Sequence, residues 1–125
     1  MSWEVILADE VDAWFLALCE TDPASAELVE AAINILELEG PTLGRPLADR
    51  VKRSSYHNMK ELRPGSAGST EIRILYAFDP IRRAVLLVAG DKAGNWDQWY
   101  RDNIPVADRR YKEHRERLEA MKGGQ

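Results

Sequence analysis

Apolar positions recur along the chain with two different periods. Trp3 to Leu7 is a short apolar run and predicts a first strand. From Asp9 the spacing changes: Val11, Trp14, Phe15 and Leu18 fall at i, i+3, i+4 and i+7, one stripe of an amphipathic helix. Cys19, next to Leu18, is expected on the buried side of that helix as a structural thiol. Asp22-Pro23 opens a second helix, because a carboxylate accepts from the orphan amides of the first turn and proline fits the first helical position. Val29, Ala32, Ile33 and Leu36, flanked by Leu28, Ile35 and Leu38, make its apolar surface broad enough to be covered from two sides, and Gly40-Pro41 ends it near Glu39. The two helices predict a hairpin.

Residues 40 to 56 lose periodicity and read as an ordered, basic loop with Arg45, Arg50, Lys52 and Arg53. Three strands then follow, His57 to Arg63, Thr70 to Phe78 and Arg83 to Gly90, separated by turn-rich segments and expected to form an antiparallel meander. In the middle one Ile72, Ile74, Tyr76 and Phe78 point one way, and Arg73, Leu75 and Ala77 the other. The last is apolar throughout, which suits a central strand. Asn95 with Gln98 resembles a capping box opening a short helix to about Asp102. Pro105 starts a final helix with Tyr111, His114, Leu118 and Met121 on one stripe, and Gly123 to Gln125 read as a frayed tail. The predicted class is α+β: an N-terminal helical hairpin on a small, mainly antiparallel four-stranded sheet, with C-terminal helices.

Composition narrows the function classes. A chain of 125 residues with 45% apolar and 30% charged residues predicts a single domain over 1–125. One cysteine and two histidines cannot build a disulfide framework or a zinc finger, so neither a metal nor a cofactor is expected. No apolar run approaches membrane-spanning length and the N-terminus is acidic, so a cytoplasmic protein without membrane contact is expected. The net charge of -4 is segregated: residues 1 to 44 carry ten acidic and no basic side chains, and residues 45 to 125 carry 17 basic and 11 acidic ones. A basic half suits a polyanionic partner.

Motifs of phosphate-cradling loops, zinc proteases and serine hydrolases are absent. Cations on strands stand out instead: Lys60 and Arg63, then Arg73, then Lys92 in Gly90-Asp-Lys-Ala-Gly-Asn-Trp96. If Arg63 opposes Glu71, then Glu61 opposes Arg73 and all four project from one face. Two readings stand open: a salt-bridge ladder, or a phosphate site gripped by bidentate arginines. Trp96, Trp99 and Tyr100 are either helix residues packed on the sheet or rings that stack a nucleobase. His57 is a turn histidine or a general base, and His114 is expected to pack.

The segments NMKELR (58–63), IRILYAFDP (72–80), GDKAGNW (90–96) and IPVADRRY (104–111), in this order and spacing, resemble the phage-derived, HigB-like branch of the RelE/ParE toxin superfamily. The resemblance implies a type II toxin neutralised by a cognate helix-turn-helix antitoxin, through which operator DNA is reached. It also implies ribosome-dependent cleavage of mRNA, in which a 2′-hydroxyl attacks the adjacent phosphate without a metal. Carried over by position, Arg73 matches the sheet arginine and Lys92 the basic residue after the last strand, with Lys60 and Arg63 on the basic second strand. Arginine stabilises the pentavalent anion, and a lysine pair or His57 handles protons. Lys52, Arg53, Trp96 and Tyr100 are the expected RNA contacts. Which tyrosine, Tyr100 or Tyr76, serves as the family's aromatic stays open. The alternatives are a ParE-like toxin that binds a topoisomerase and a catalytically silent antitoxin-binding module.

Overall fold

A computed structural model describes residues 2–123. In chain order the elements are β1 (Val5–Leu7), α1 (Asp9–Thr21), α2 (Pro23–Glu39), β2 (Ala48–Arg50), β3 (Lys60–Leu62), β4 (Ile72–Phe78), β5 (Ala84–Asp91) and α3 (Trp96–Gly123). The strands form one sheet in the order β1-β5-β4-β3-β2, with β1 parallel to β5 and the remaining neighbours antiparallel. The class is α+β. The sheet is mixed and has five strands, not four, because β2 forms inside the stretch read as loop. Its three residues pair Ala48 with Leu62 and Arg50 with Lys60, a ladder too short and too polar to leave a periodic signature.

The amphipathic spacing of α1 buries Val11 and half-buries Trp14, Phe15 and Leu18. Cys19 is exposed, correcting the expectation of a buried thiol: one residue past Leu18 is a turn of about 100°, enough to leave the stripe. Asp22 caps α2, its carboxylate accepting from the Ser25 amide at 3.3 Å and the Ser25 hydroxyl at 2.5 Å. Val29, Ala32 and Leu36 are buried, but Ile35 and Leu38 are exposed, so α2 is covered from one side only. Leu36 is fully buried, and truncating it to alanine would cost about 3 kcal/mol. Gly40 ends the helix at φ 59°, where a Cβ would lie 2.4 Å from the Trp3 indole, so this stop needs glycine on both counts.

The two apolar faces of the sheet carry separate cores. Ile72, Ile74, Tyr76 and Leu86 pack under α1 and α2, while Leu75, Ala77, Val85 and Leu87 pack under α3 with Trp99, Ile104, Ala107 and Tyr111. The alternation read along β4 is therefore the true division of its faces. β5 lies between β1 and β4 and is buried along most of its length.

A single helix replaces the two predicted after residue 95. Pro105 sits inside α3, where it removes one helical hydrogen bond, a loss of about 3 kcal/mol in an isolated helix. Burial of Trp99 before it and Ala107 and Tyr111 after it against the same sheet outweighs that loss. The Gln98 side chain bonds Asp102 at 2.8 Å instead of closing a capping box. Trp99 docks α3 on Gly90, where a Cβ would meet the indole nitrogen at 2.7 Å. Met121 lies beyond the sheet and is exposed, and the tail residues Gly124 and Gln125 are outside the described residues.

Candidate functional site

Between the start of α3 and the β2–β3 edge of the sheet lies a cleft of about 460 Å³. Six cationic side chains line it, Arg50, Lys52, Arg53, Arg63, Arg73 and Lys92, against three acidic ones, Asp49, Glu61 and Asp97. Trp96, Tyr100, Val51 and Ile104 complete the wall. Strand parity selects these residues: Glu61 and Arg63 face the cleft, whereas Lys60 and Leu62 face α1 and α2. The ladder sets Glu61 opposite Leu75 and Leu62 opposite Ile74, so one step further Arg63 comes level with Arg73. The expected Glu61–Arg73 pairing is thus off by two residues. A shift of two leaves every side chain on its face, which is why the shared face survives the error.

Glu61, only 5% exposed, is the centre of the cluster. Its Oε1 accepts from the Tyr100 hydroxyl at 2.7 Å and lies 3.4 Å from Arg73 Nε, without hydrogen-bond alignment. Its Oε2 accepts from Arg63 Nη2 at 3.4 Å, and the same Nη2 reaches Asp49 Oδ2 at 3.2 Å. Arg73 Nη1 donates to the Ile72 carbonyl at 2.8 Å. Both arginine Nε atoms, Arg63 and Arg73, are buried and have no hydrogen-bond partner.

Lys92 is 3% exposed, its Nζ 3.5 Å from Glu71 Oε2 and 3.7 Å from the centre of the Trp96 ring. Burial pushes its pKa below the ordinary lysine value and Arg73 pushes the same way, against Glu71 and Glu61. Tyr100 moves oppositely. Burial, then the hydrogen bond to Glu61, raise its hydroxyl to about 12, so it remains a donor at neutral pH. Trp96 is 57% exposed at the mouth, with an edge-on contact to Tyr100. Across that mouth Arg53 Nη2 reaches Asp97 Oδ1 at 2.9 Å, and Arg101 holds the other oxygen at 2.7 Å. The loop carrying Arg53 is tied to α3, since the Ser54 hydroxyl and the Ser55 amide both donate to Asp108.

The cleft therefore gathers Arg63, Arg73, Lys92, Lys52, Arg53, Trp96 and Tyr100 of the nine predicted site residues. It does not gather the other two. Lys60 points to the opposite face, where Nζ donates to the Pro41 and Leu43 carbonyls at 3.1 and 3.2 Å. His57 is exposed in the β2–β3 loop and does not line the cleft. Of the two tyrosines, Tyr100 is the cleft residue. Tyr76 is buried in the opposite core, its hydroxyl unpartnered and its pKa pushed up by burial. Trp99 packs, whereas His114 is buried as a polar partner, its Nε2 2.9 Å from Asp79 Oδ2. Asp49 and Arg50 were missed because they belong to β2, for which the sequence offers no pattern.

A larger cavity, about 680 Å³, opens between β1, β5 and the second half of α3. Its charges balance in number, Arg109, Arg110 and Arg117 against Asp9, Glu10 and Glu113, with Arg110 3.4 Å from Glu10 and Arg109 3.5 Å from Glu113; one donor there, Arg110 Nε, is also buried without a partner. The cationic surplus lies in the smaller cleft. Among the described residues no cluster of three His, Cys, Asp or Glu side chains could hold a metal ion, and no helix is long and apolar enough to cross a membrane.

Comparison with known proteins adds the family. The profile described as phage-derived protein Gp49-like matches residues 16–112. A Mycobacterium tuberculosis protein named "Putative toxin HigB3" is 58% identical over 106 residues, covering 85% of this chain and 88% of the relative. A second, named "Putative toxin HigB2", is 52% identical over 114 residues, covering 91% of this chain but 55% of the relative. No solved structure matches the chain.

Proposed function

Because the chain belongs to the phage-derived Gp49-like family, we propose that it is the toxin of a type II toxin–antitoxin pair in the RelE/ParE superfamily, a ribosome-dependent endoribonuclease of mRNA. The observation that carries the reading is the pair of arginines whose buried Nε donors have no acceptor, in a cleft with twice as many cations as carboxylates. Buried donors are nearly always satisfied, so two orphans facing one cleft favour an anionic ligand. The names of the two relatives support the toxin role.

In this reading the 2′-hydroxyl of one nucleotide gives up its proton to solvent water and attacks the adjacent phosphorus, the bond to the 5′-oxygen breaks, and a 2′,3′-cyclic phosphate forms. Arg63 and Arg73 hold the non-bridging oxygens and stabilise the charge that grows on them. Lys92, with its pKa lowered by burial, protonates the leaving 5′-oxygen. Before substrate binds, Tyr100 holds Glu61 and with it the spacing of the arginines. The exposed Trp96 ring stacks a base, and Lys52 and Arg53 follow the RNA backbone. Lys60 and His57 take no part, since neither reaches the cleft. The partner in the cell is a helix-turn-helix antitoxin that brings the pair to operator DNA, and the site of action is the cytoplasm, where the ribosomes are.

The test is induction of this chain with and without the neighbouring small helix-turn-helix gene, followed by primer extension on cellular mRNA. Growth arrest with new 5′ ends inside coding sequence, both reversed by the partner, is the expected outcome. Arrest with intact mRNA and stalled replication would favour a ParE-like topoisomerase inhibitor, and undisturbed growth at soluble expression would leave a silent binding module.

A further inference from the structure

We infer that Glu61 is a resident anion: in the free protein its carboxylate occupies part of the position a phosphodiester takes between Arg63 and Arg73, and substrate binds by displacing it. This rests on the reading of the cleft as a phosphodiester site.

The geometry is that of a place-holder. Glu61 is held from three elements, by Tyr100 of α3 at 2.7 Å, by Arg73 of β4 at 3.4 Å and by Arg63 just past β3 at 3.4 Å. Only the tyrosine contact is short. Two planar carboxylate oxygens cannot satisfy a phenol and two guanidinium forks at once, and the donors left over are the two Nε atoms. A phosphodiester offers its oxygens tetrahedrally and accepts bidentate bonds from both arginines. Arg83 shows the contrast: its Nε donates to Asp79 Oδ2 at 3.0 Å and its Nη2 lies 3.0 Å from the same oxygen, so its Nε is not left over. Glu61 and Asp49 also bring negative charge to the arginine pair and thereby hold down the affinity for small anions. A ligand that also engages Trp96 and Lys52 supplies the binding free energy to move Glu61 aside, which favours a polynucleotide over free phosphate.

Inorganic phosphate is the probe, titrated into wild type, Glu61→Gln, Asp49→Asn and Arg73→Ala, each checked by thermal melt. Glu61→Gln is expected to bind phosphate about tenfold more tightly, Asp49→Asn to gain clearly less, and Arg73→Ala to lose binding. An equal gain in Asp49→Asn would reduce the effect to overall charge and overturn the inference, as would unchanged or weaker binding by Glu61→Gln. The wild type supplies a check that needs no substitution: by NMR the Glu61 carboxyl carbon and both arginine Nε–H signals are expected to move with one dissociation constant. A Glu61 carbon that stays in place while the arginines respond overturns the displacement. If no folded form responds to phosphate at all, the phosphodiester reading of the cleft fails instead.

Discussion

Two buried carboxylates, Asp79 and Glu61, each lean on arginine and on one side chain from α3, and they differ in how completely the surrounding donors are used. Asp79 closes the turn between β4 and β5: Oδ1 accepts the Ile81 and Arg83 amides at 3.1 and 2.9 Å, and Oδ2 takes Arg83 Nε at 3.0 Å and faces His114 Nε2 at 2.9 Å. Among the described residues no buried donor around it is left over. Around Glu61, near the other end of α3, two guanidinium nitrogens remain buried and unpartnered. Because an unpaired buried donor costs about 1–3 kcal/mol, the first cluster is built for stability and the second keeps two unsatisfied donors, which under the proposed function are the groups a ligand engages. An ion pair alone says little about role; the completeness of its hydrogen bonding separates the two.

The largest effect that tests this contrast is on catalysis. Arg73→Ala should lower cleavage on programmed ribosomes by a hundredfold or more, about 3 kcal/mol, with little change in the melt. Arg73→Lys, which keeps the charge and loses the fork, should stay impaired. A near-wild-type rate for Arg73→Ala would place both clusters in the structural class. Asp79→Ala should do the reverse: removing one partner of a buried pair costs about 3 kcal/mol of stability, a drop in melting temperature on the order of 10 °C, with turnover per folded molecule retained.

Smaller effects sharpen the comparison. Tyr100→Phe removes the one short bond to Glu61, and a loss of about tenfold in rate is expected with a minor change in melting. Acid should act on the Asp79 cluster. Burial raises the Asp79 carboxyl, but His114, the Arg83 amide and the Arg83 guanidinium outweigh it and hold the group below its usual value. A depressed folded-state pKa gives stability that is present above the unfolded value of about 4 and lost as pH falls through the folded one. Melts between pH 6 and pH 2 should therefore steepen their decline below about pH 4 in wild type, and Asp79→Asn should flatten that decline. The smallest change is expected from Lys60→Ala, which gives up bonds to the Pro41 and Leu43 carbonyls worth about 1 kcal/mol and leaves cleavage intact. A hundredfold loss of cleavage there would bring Lys60 back into the site.

Much of the candidate site was legible because parity is local. Arg73 on the opposite side of β4 from Ile72 and Ile74 follows from alternation alone, and Arg63 beside Glu61 follows from the same rule even with the register wrong by two. The tyrosine was not legible. Tyr76 and Tyr100 are both aromatic residues on predicted elements, and only the packing of β4 under α2 buries one while the docking of Trp99 on Gly90 brings the other to Glu61.

What the sequence determined by itself is therefore what short-range periodicity encodes: two N-terminal helices, the three antiparallel strands, the faces of those strands, and the segregation of acidic from basic halves. The tertiary structure alone decided the rest. The short strand β2 joined the sheet, and β1, expected from its apolar run, took a parallel place beside β5, because backbone amides and carbonyls need partners that lie across a loop in the one case and as far along the chain as Val5 from Ala84 in the other. Pro105 became the interior of a helix because burial on both sides of it outweighs one missing hydrogen bond. Lys60 left the cleft for two backbone carbonyls while Glu61 entered it, since the long side chains of adjacent strand residues diverge to opposite faces and bond whatever the fold has placed there.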